Sequence, residues 1–344
     1  MGLKVREFVT IVMPSLNEER AIAASIMSVL PQQDCGFELE LIVVDGGSDD
    51  ATRGIVSFLA KADPRIRLIH NPARTQAAGV NLAARVADPR STVLVRADCH
   101  ARYPSDFVTI CVESLRSAGA ASVVVPMRTV GSTCIENAIS AAQNSTLGNG
   151  GAAHRQSTGL SERVAHGHHA AFDRRIFLEL GGYDEGFVAN EDAEYDMRLV
   201  DSGRVIWMAR GAMIDYSPRS DLVSLGRQYF RNGIGRVSTS AKSGNRLGLR
   251  QLLPIFALTA CLASCCIGFV DQHFLAVPAT YALLVSLWAT HLAVRDRKPC
   301  VLMAGAAAVT MHMAFALGAV VALSQAGYGR TGRVKSLGPS GNAA

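Results

Sequence analysis

Charged residues are scarce in this chain of 344 residues, at 18% of the sequence, whereas hydrophobic residues make up 49%. No two of the eight cysteines form a CxxC pair, so the sequence does not indicate a zinc site built on such pairs. Aromatic residues account for only 6%. Because no platform of basic and aromatic residues accompanies the net charge of +5, nucleic acid is not an expected partner.

Long uncharged runs are absent from the start of the chain, which also lacks the hydrophobic core of a signal peptide. Three such runs instead occupy residues 252–270, 274–294 and 301–324. With 19, 21 and 24 residues, each is about long enough to cross a hydrocarbon core of roughly 30 Å. Three runs in succession favour membrane segments over buried core helices.

Basic residues crowd the approach to the first of these runs, and no acidic residue lies between Leu222 and Val270. This asymmetry is typical of the cytoplasmic side of a membrane, and it attracts anionic lipid headgroups. We therefore expect a multi-pass protein of the inner membrane, with lipids as partners and the first 250 residues in the cytoplasm. The basic residues are Arg227, Arg231, Arg236, Lys242, Arg246 and Arg250.

Residues 8–126 alternate apolar, β-branched runs with segments of helical periodicity. Such alternation predicts an α/β fold in which helices cover both faces of a mostly parallel sheet. Residues 131–167 indicate a loop region that contains some helix, and regular structure resumes at 171–180 and 192–201. The predicted strands are 8–13, 39–44, 66–69, 92–97 and 122–125, and the predicted helices are 18–30, 50–61, 75–86 and 104–118.

Polar turns follow three of the predicted strands, at residues 14–18, 45–50 and 98–100. Ligands of such sheets bind beyond the carboxyl ends of the strands, so we expect these turns to meet at one binding site. Asp45 can accept hydrogen bonds from a nucleobase or a ribose, and the glycines after it permit close approach of a ligand. A second interpretation is that this segment forms a turn and a helix cap, and the two interpretations are compatible.

Asp98 and His100 lie two residues apart where a strand ends, so both side chains can point at one cation. Carboxylate oxygen suits Mg²⁺ or Mn²⁺, and imidazole suits Mn²⁺ and later transition metals. The alternative for His100 is a hydrogen-bonded loop histidine. A second group of histidines is interpreted as the lining of an acceptor pocket or as simple loop polarity; it comprises His166, His168 and His169.

Asp192 lies at the start of a predicted amphipathic helix, with Glu191 before it. A carboxylate there either interacts with the helix dipole or, with a raised pKa, acts as a general base. Gln228 and Arg231 share one face of a later helix and can hold phosphate oxygens. The alternative is that Arg231 belongs only to the lipid-facing basic patch.

Together these segments resemble the family 2 glycosyltransferases, whose nucleotide-sugar domain has the GT-A fold. The resemblance covers roughly residues 8–240. Within the family, residues 96–104 and 231–236 are similar to the glucosyltransferases of succinoglycan biosynthesis. The matching segments are 11–19, 43–52, 71–74, 78–81, 98–100, 181–185, 191–192 and 228–231.

The resemblance implies a role for each candidate residue. Asp192 is expected to be the catalytic base, and Asp98 and His100 are expected to hold Mg²⁺ or Mn²⁺. Asn232 stands where processive synthases have tryptophan, so a polymer channel is not expected. The residues expected to bind the nucleotide-sugar are Pro14, Asn17, Glu18, Asp45, Arg74 and Asp98, and those expected near the acceptor or the diphosphate are Glu191, Gln228 and Arg231.

The activity so implied is an inverting transfer of a hexose onto a polyprenyl-diphosphate-linked saccharide, with glucose from UDP-glucose as donor and a β-linkage as product. Its setting is succinoglycan-like exopolysaccharide assembly, together with other assembly enzymes. The alternatives are a polyprenyl-phosphate sugar synthase and a non-catalytic scaffold that binds nucleotide-sugars. The expected domains are a GT-A domain (1–240), a basic juxtamembrane segment (241–251), a membrane domain (252–324) and a flexible tail (325–344).

Overall fold

The computed structural model describes residues 6–31, 33–152, 155, 159–187, 190–243 and 247–328. These residues form two compact units. The first contains the described residues up to 185 together with 191–218, and the second contains 186–190 together with those from 219 onward.

The strands all belong to the first unit. They are β1 (Phe8–Ser15), β2 (Glu38–Asp45), β3 (Ile66–His70), β4 (Ser91–Arg96), β5 (Ala101–Arg102), β6 (Ser122–Val125), β7 (Met127–Thr129), β8 (Glu162–Val164), β9 (His168–Asp173), β10 (Ile206–Met208) and β11 (Ile214–Tyr216). Eight of them form one sheet in the order β3-β2-β1-β4-β9-β6-β10-β8, and a smaller sheet has the order β5-β11-β7.

The helices of the first unit lie mostly between these strands. They are α1 (Ile22–Val29), α2 (Thr52–Ala62), α3 (Gln76–Val86), α4 (Phe107–Ser117), α5 (Cys134–Gln143), α6 (Thr146–Asn149), α7 (Arg174–Glu179) and α8 (Glu191–Asp201). The fold is therefore α/β, as the alternation of the sequence predicts.

The large sheet is buried on both faces, which explains the nearly continuous apolar runs of its central strands. Successive side chains of a strand point to opposite faces. Ile11 and Met13 of β1 accordingly pack into one core cluster, with residues of α1 and α4, whereas Val12 packs into a second cluster, with residues of α3 and α7. Three layers result, with the sheet in the middle.

The sheet is more mixed than the sequence predicts. Strands β1 to β4 pair in parallel, but β9 runs antiparallel to both β4 and β6, and β8 runs antiparallel to β10. Residues 171–180, where the sequence predicts that regular structure resumes, are the end of β9 followed by α7.

The parallel register aligns the polar turns at one edge. Ser15 at the end of β1 pairs with Asp45 at the end of β2, and Asp45 pairs with His70 at the end of β3. On the other side of β1, Val12 pairs with Arg96, the last residue of β4. The three turns predicted to form a binding site therefore leave the sheet from the same edge.

The second unit consists of α9 (Leu222–Ser243), α10 (Leu249–Gly268), α11 (Ala276–Asp296) and α12 (Ala304–Tyr328), with residues 186–190. Three helical stretches, Leu249–Gly268, Gln272–Asp296 and Pro299–Gln325, are long and apolar enough to cross a membrane. Helix α12 extends four residues into the predicted tail, and residues 329–344 of that tail lie outside the described residues.

Helices α9 and α12 pack closely through glycine. A Cβ atom added to Gly233 would overlap the carbonyl oxygen of Phe315, and one added to Gly318 would overlap that of Phe230. The two backbones are therefore in direct contact at both positions. Val237 is buried beside this contact, in a small core with Ala319.

Candidate active site

A cavity of about 210 Å³ opens at the edge of the sheet where the polar turns meet. Of the residues expected to bind a nucleotide-sugar or a metal, five line it, namely Pro14, Glu18, Arg74, Asp98 and His100. Its lining also includes Asn71, Thr75 and Gln76, which the sequence interpretation did not select. A signal for Asn71 existed, because it begins one of the segments that resemble the family.

Asp45 does not line this cavity but shapes the turn beside it. Its buried carboxylate accepts the backbone N–H groups of Gly47, at 2.9 Å, and Ser48, at 3.0 Å, together with the hydroxyl of Ser48. Gly47 has a φ of 86°, which favours glycine at that position. The sequence also predicted a turn at this segment, and the structure contains that turn.

Asn17 joins the first two turns. Its backbone N–H donates to Oγ of Ser48 at 2.9 Å, and its side-chain oxygen accepts the N–H of Asp49 at 2.9 Å. The next residue, Glu18, donates its N–H to Oγ1 of Thr52 at 2.8 Å. These bonds hold one rim of the cavity in place.

Both ring nitrogens of His100 have partners. Nδ1 lies 3.1 Å from Oε1 of Glu18, and Nε2 is hydrogen-bonded to the hydroxyl of Tyr216. Burial alone would lower the pKa of His100, but interactions with Tyr216, Glu18 and Asp98 outweigh burial and raise that pKa to about 10. The imidazole therefore carries a proton that a metal must displace.

Asp98 is buried among cationic and polar groups. Its Oδ1 accepts from Nε2 of Gln76 at 3.2 Å and lies 3.5 Å from an Arg96 nitrogen, and its Oδ2 lies 3.5 Å from Nε2 of His168. Burial alone would raise its pKa, but the neighbouring charges, that of Arg96 foremost, hold the pKa below its usual range. Asp98 is therefore ionised at neutral pH.

Asp98 offers a divalent cation a buried carboxylate oxygen. A ring nitrogen of His100 could bind a metal only after losing its hydrogen bond to Glu18 or Tyr216. No cage of three or more acidic, histidine or cysteine side chains is present in the part of the chain that the structure describes. At phosphate-bearing substrates one or two protein ligands are usual, because phosphate oxygens supply further ligands.

Asp192 and Glu191 begin α8, and their environments differ. Burial alone would raise the pKa of Asp192, but interactions with His166, His169 and Arg96 hold it well below its usual range. Burial and the charge of Asp192 raise the pKa of Glu191. The pKa of Asp192 is therefore lowered, not raised as one of the two alternatives had it, and its carboxylate is the ionised member of the pair.

The three histidines of the second group occupy different environments. His169 is buried on β9 and its Nε2 lies 2.7 Å from Asp196, which also accepts from Nδ1 of His166 at 2.7 Å. Both interpretations from the sequence, a polar loop residue and a residue lining an acceptor pocket, are therefore wrong for His169. His168 faces Asp98, and burial foremost lowers the pKa of His168 to about 4, so this imidazole is neutral at pH 7.

Gln228 and Arg231 lie on α9, in the second unit. They are three residues apart on that helix, as expected from the sequence, and Arg231 is exposed. Asn190, also in the second unit, donates from its side chain to the carbonyl oxygen of Asn232 at 3.3 Å. This bond ties the segment before α8 to α9.

Residues 10–181 match the sequence profile of Glycosyl transferase family 2. Over 308 residues the chain is also 39% identical to succinoglycan biosynthesis protein ExoA of Rhizobium meliloti (strain 1021), which covers 90% of this chain and 92% of that protein. The chain belongs to glycosyl transferase family 2. The resemblance seen in the sequence is thereby confirmed, and the protein is a glycosyltransferase.

Two further relatives add detail. The UDP-Glc:alpha-D-GlcNAc-diphosphoundecaprenol beta-1,3-glucosyltransferase WfgD of Escherichia coli is 42% identical over 91 residues, which are 26% of this chain and 34% of WfgD. The mannosyltransferase PcManGT of Pyrobaculum calidifontis, solved with GDP-Man and Mn²⁺, superposes with a TM-score of 0.58 at 20% identity, covering 94% of this chain and 88% of that one. This likeness confirms the GT-A fold.

Proposed function

We propose that this glycosyltransferase moves glucose from UDP-glucose onto a polyprenyl-diphosphate-linked saccharide during assembly of a succinoglycan-like exopolysaccharide. The observation that carries the proposal is the 39% identity to ExoA across 90% of the chain. The name of WfgD supports the choice of donor and of acceptor class, because that relative transfers glucose from UDP-glucose to a diphosphoundecaprenol-linked sugar.

The cavity is the proposed donor site. Pro14 and Glu18 line it and would border the uridine, with Asp45 holding the adjacent turn in shape. Arg74, whose φ of 59° is fixed in the loop before α3, would face the diphosphate. Backbone N–H groups and a guanidinium are suitable donors to phosphate oxygens.

Asp192 is the proposed base. Its carboxylate is ionised at neutral pH, which is the form that accepts the proton of the acceptor hydroxyl. The oxygen then forms a bond to the anomeric carbon as the bond to UDP breaks on the opposite face. A single displacement inverts the configuration, so an α-linked donor gives a β-linkage.

Asp98 and His100 would hold Mg²⁺ or Mn²⁺, and a bound cation supplies neutralisation of the charge that develops on the departing diphosphate. Glu191, Gln228 and Arg231 are assigned to the acceptor and its diphosphate. The guanidinium of Arg231 offers the fork geometry that suits phosphate oxygens.

The apolar helices are the proposed membrane anchor. α10, α11 and α12 would make the chain a multi-pass protein of the inner membrane, with residues 1–240 as the catalytic domain and residues 241–251 as a basic segment at the cytoplasmic lipid surface. This location brings a lipid-linked acceptor and other assembly enzymes within reach.

To test the proposal, membranes that contain the full chain are incubated with radiolabelled UDP-glucose, UDP-galactose or UDP-N-acetylglucosamine. The acceptors are a polyprenyl-diphosphate saccharide and bare polyprenyl phosphate, and the control is membranes containing the Asp192→Asn variant. Transfer of glucose to the lipid-linked saccharide is the expected outcome. Transfer to bare polyprenyl phosphate would instead identify a polyprenyl-phosphate sugar synthase, and donor binding without transfer would identify a scaffold.

A further inference from the structure

Four buried side chains are joined by consecutive hydrogen bonds, and one of them lies next to Asp98. Arg96 donates from one guanidinium nitrogen to the hydroxyl of Tyr183 at 3.0 Å. That hydroxyl lies 2.6 Å from Nδ1 of His169, and Nε2 of His169 lies 2.7 Å from Oδ1 of Asp196. We call these residues the buried relay. They come from β4, the turn after α7, β9 and α8.

One assignment of hydrogens satisfies the whole relay. Arg96 can only donate, so Tyr183 accepts from it and donates its own O–H to Nδ1 of His169. In that assignment Nε2 of His169 donates to the Asp196 carboxylate. Burial raises the pKa of Tyr183 well above its ordinary value, so the phenol keeps the proton that this arrangement needs.

The surrounding structure fixes the position of Tyr183. Its N–H donates to Oδ1 of the buried Asn81 at 2.8 Å, and its carbonyl oxygen accepts from Nδ2 of the same residue at 2.8 Å. The preceding residue, Gly182, has a φ of 69°, and a Cβ there would overlap Asn81. The phenol ring of Tyr183 stacks on His169 with ring centroids 5.7 Å apart and planes 2° apart.

Arg96 is the end of the relay that faces the active site. It is only 8% exposed, and one guanidinium nitrogen lies 3.5 Å from Oδ1 of Asp98. Burial alone would lower its pKa, but the negative charges of Asp98, Glu191 and Asp192 contribute to raising that pKa well above the ordinary value. The guanidinium thus lies against Asp98, and its Nε has no hydrogen-bond partner among the described residues.

We propose that Tyr183, His169 and Asp196 are positioning residues for glycosyl transfer, which hold the Arg96 guanidinium where it orients Asp98. The proposal rests on the role proposed above for Asp98. A guanidinium has several rotatable bonds, and a buried one is held in a single geometry only when its donors are engaged. Removing the Tyr183 hydroxyl removes the acceptor that holds one guanidinium nitrogen of Arg96 in place.

The test is Tyr183→Phe in the full chain, because this change removes one oxygen and keeps the ring. Loss of one buried hydrogen bond to a charged group predicts a fall in kcat of roughly ten- to a hundredfold. The Kd for UDP is expected to stay unchanged, because the cavity residues that would contact UDP are intact. kcat is expressed per UDP-binding site, so that unfolded protein does not contribute to the measured loss.

Tyr195→Phe is the matched control. Tyr195 lies in the same aromatic cluster, with its ring centroid 5.6 Å from that of Tyr183, and its hydroxyl has no hydrogen-bond partner among the described side chains and backbone. We expect Tyr195→Phe to keep the wild-type kcat. Asp196→Asn should lower kcat as Tyr183→Phe does, and the double variant should lose little more than either single one, because both interrupt the same relay.

Two results would overturn the proposal. One is a wild-type kcat per UDP-binding site in Tyr183→Phe, with or without a lower melting temperature. The other is an equal loss of kcat in Tyr195→Phe. Asp192→Asn separates this failure from failure of the proposed function. If Asp192→Asn abolishes transfer while Tyr183→Phe does not, the relay is wrong and the base stands, whereas normal transfer by Asp192→Asn removes the base itself.

Discussion

Nε2 of His169 lies 2.7 Å from Oδ1 of Asp196, and both side chains are buried inside the first unit. His166 donates to the other oxygen of the same carboxylate. Burial alone would raise the pKa of Asp196, but these interactions with His169 and His166 lower it. Folding therefore favours the ionised form of the Asp196 carboxylate over the protonated form.

Asp196→Asn is expected to destabilise the protein at neutral pH. An amide offers one acceptor where the carboxylate offers two, so the cost should be about 1–3 kcal/mol, or a fall in melting temperature on the order of 5 °C. A lowered pKa stabilises the fold above the unfolded pKa of about 4, and this contribution is lost as pH falls through the folded pKa. The difference in the free energy of unfolding between wild type and variant should therefore be largest at pH 7 and decrease below about pH 4.

The measurement is thermal unfolding of the full chain in detergent, followed by tryptophan fluorescence from pH 3.5 to 8. Asp201→Asn is the control, because Asp201 is exposed at the end of the same helix. Equal melting temperatures for wild type and Asp196→Asn at pH 7 would contradict the prediction.

Asp192→Asn keeps the size of the side chain but cannot accept the acceptor proton. Transfer should fall by a factor of roughly 10²–10⁴, while the Kd for UDP stays at its wild-type value. Turnover and UDP binding are measured on the same preparation. Near-normal turnover would remove Asp192 from the mechanism, and Asp201→Asn again serves as the control on α8.

Metal removal is expected to stop transfer. EDTA should abolish the activity, and Mn²⁺ or Mg²⁺ should restore it, because departure of UDP needs its charge neutralised. Asp98→Ala should not be rescued, and it should also weaken Mn²⁺ binding in the presence of UDP, measured by electron paramagnetic resonance. Asp106→Ala is the control, because that carboxylate is exposed just before α4. Full activity in EDTA with metal-free protein would contradict this scheme.

The membrane topology can be read from cysteine labelling in a chain without native cysteines. With the first unit in the cytoplasm, Gln272 between α10 and α11 should react with a membrane-impermeant maleimide from outside. Lys298 should react only after permeabilisation, because α10 and α11 are expected to form a hairpin. External labelling of Lys298 would rule out the hairpin. Ser340 reports on α12 alone, and we expect it to be labelled from outside.

The parallel half of the fold could be predicted from the sequence because its signals are local. The run Leu41-Ile42-Val43-Val44 predicts a strand buried on both faces, and β2 covers it. Helix α1 begins at Ile22, later than predicted, and the N–H of Glu18 donates instead to Thr52 of another segment. β9 was missed since His168-His169-Ala170-Ala171 has no β-branched residue, and only pairing with β4 and β6 makes it a strand.

The sequence predicts that Asp98 and His100 belong to the site, because both directly follow a strand. It does not predict Gln76, because the contact of Gln76 with Asp98 depends on how the loop before α3 folds. The same limit applies to His169. His166, Gly167 and His168 before it suggest a loop, whereas its partners Tyr183 and Asp196 lie 14 and 27 residues away.

The glycine contacts hold the backbones of α9 and α12 close together at two positions. Any side chain at Gly233 or Gly318 would drive the backbones apart, so α9 cannot slide along α12 without breaking the contact. If α12 lies in lipid as proposed, the depth at which it settles fixes the height of Gln228 and Arg231 relative to the bilayer surface. The position of α12 in the bilayer would then determine how far a lipid-linked diphosphate must extend from the membrane to reach the guanidinium of Arg231.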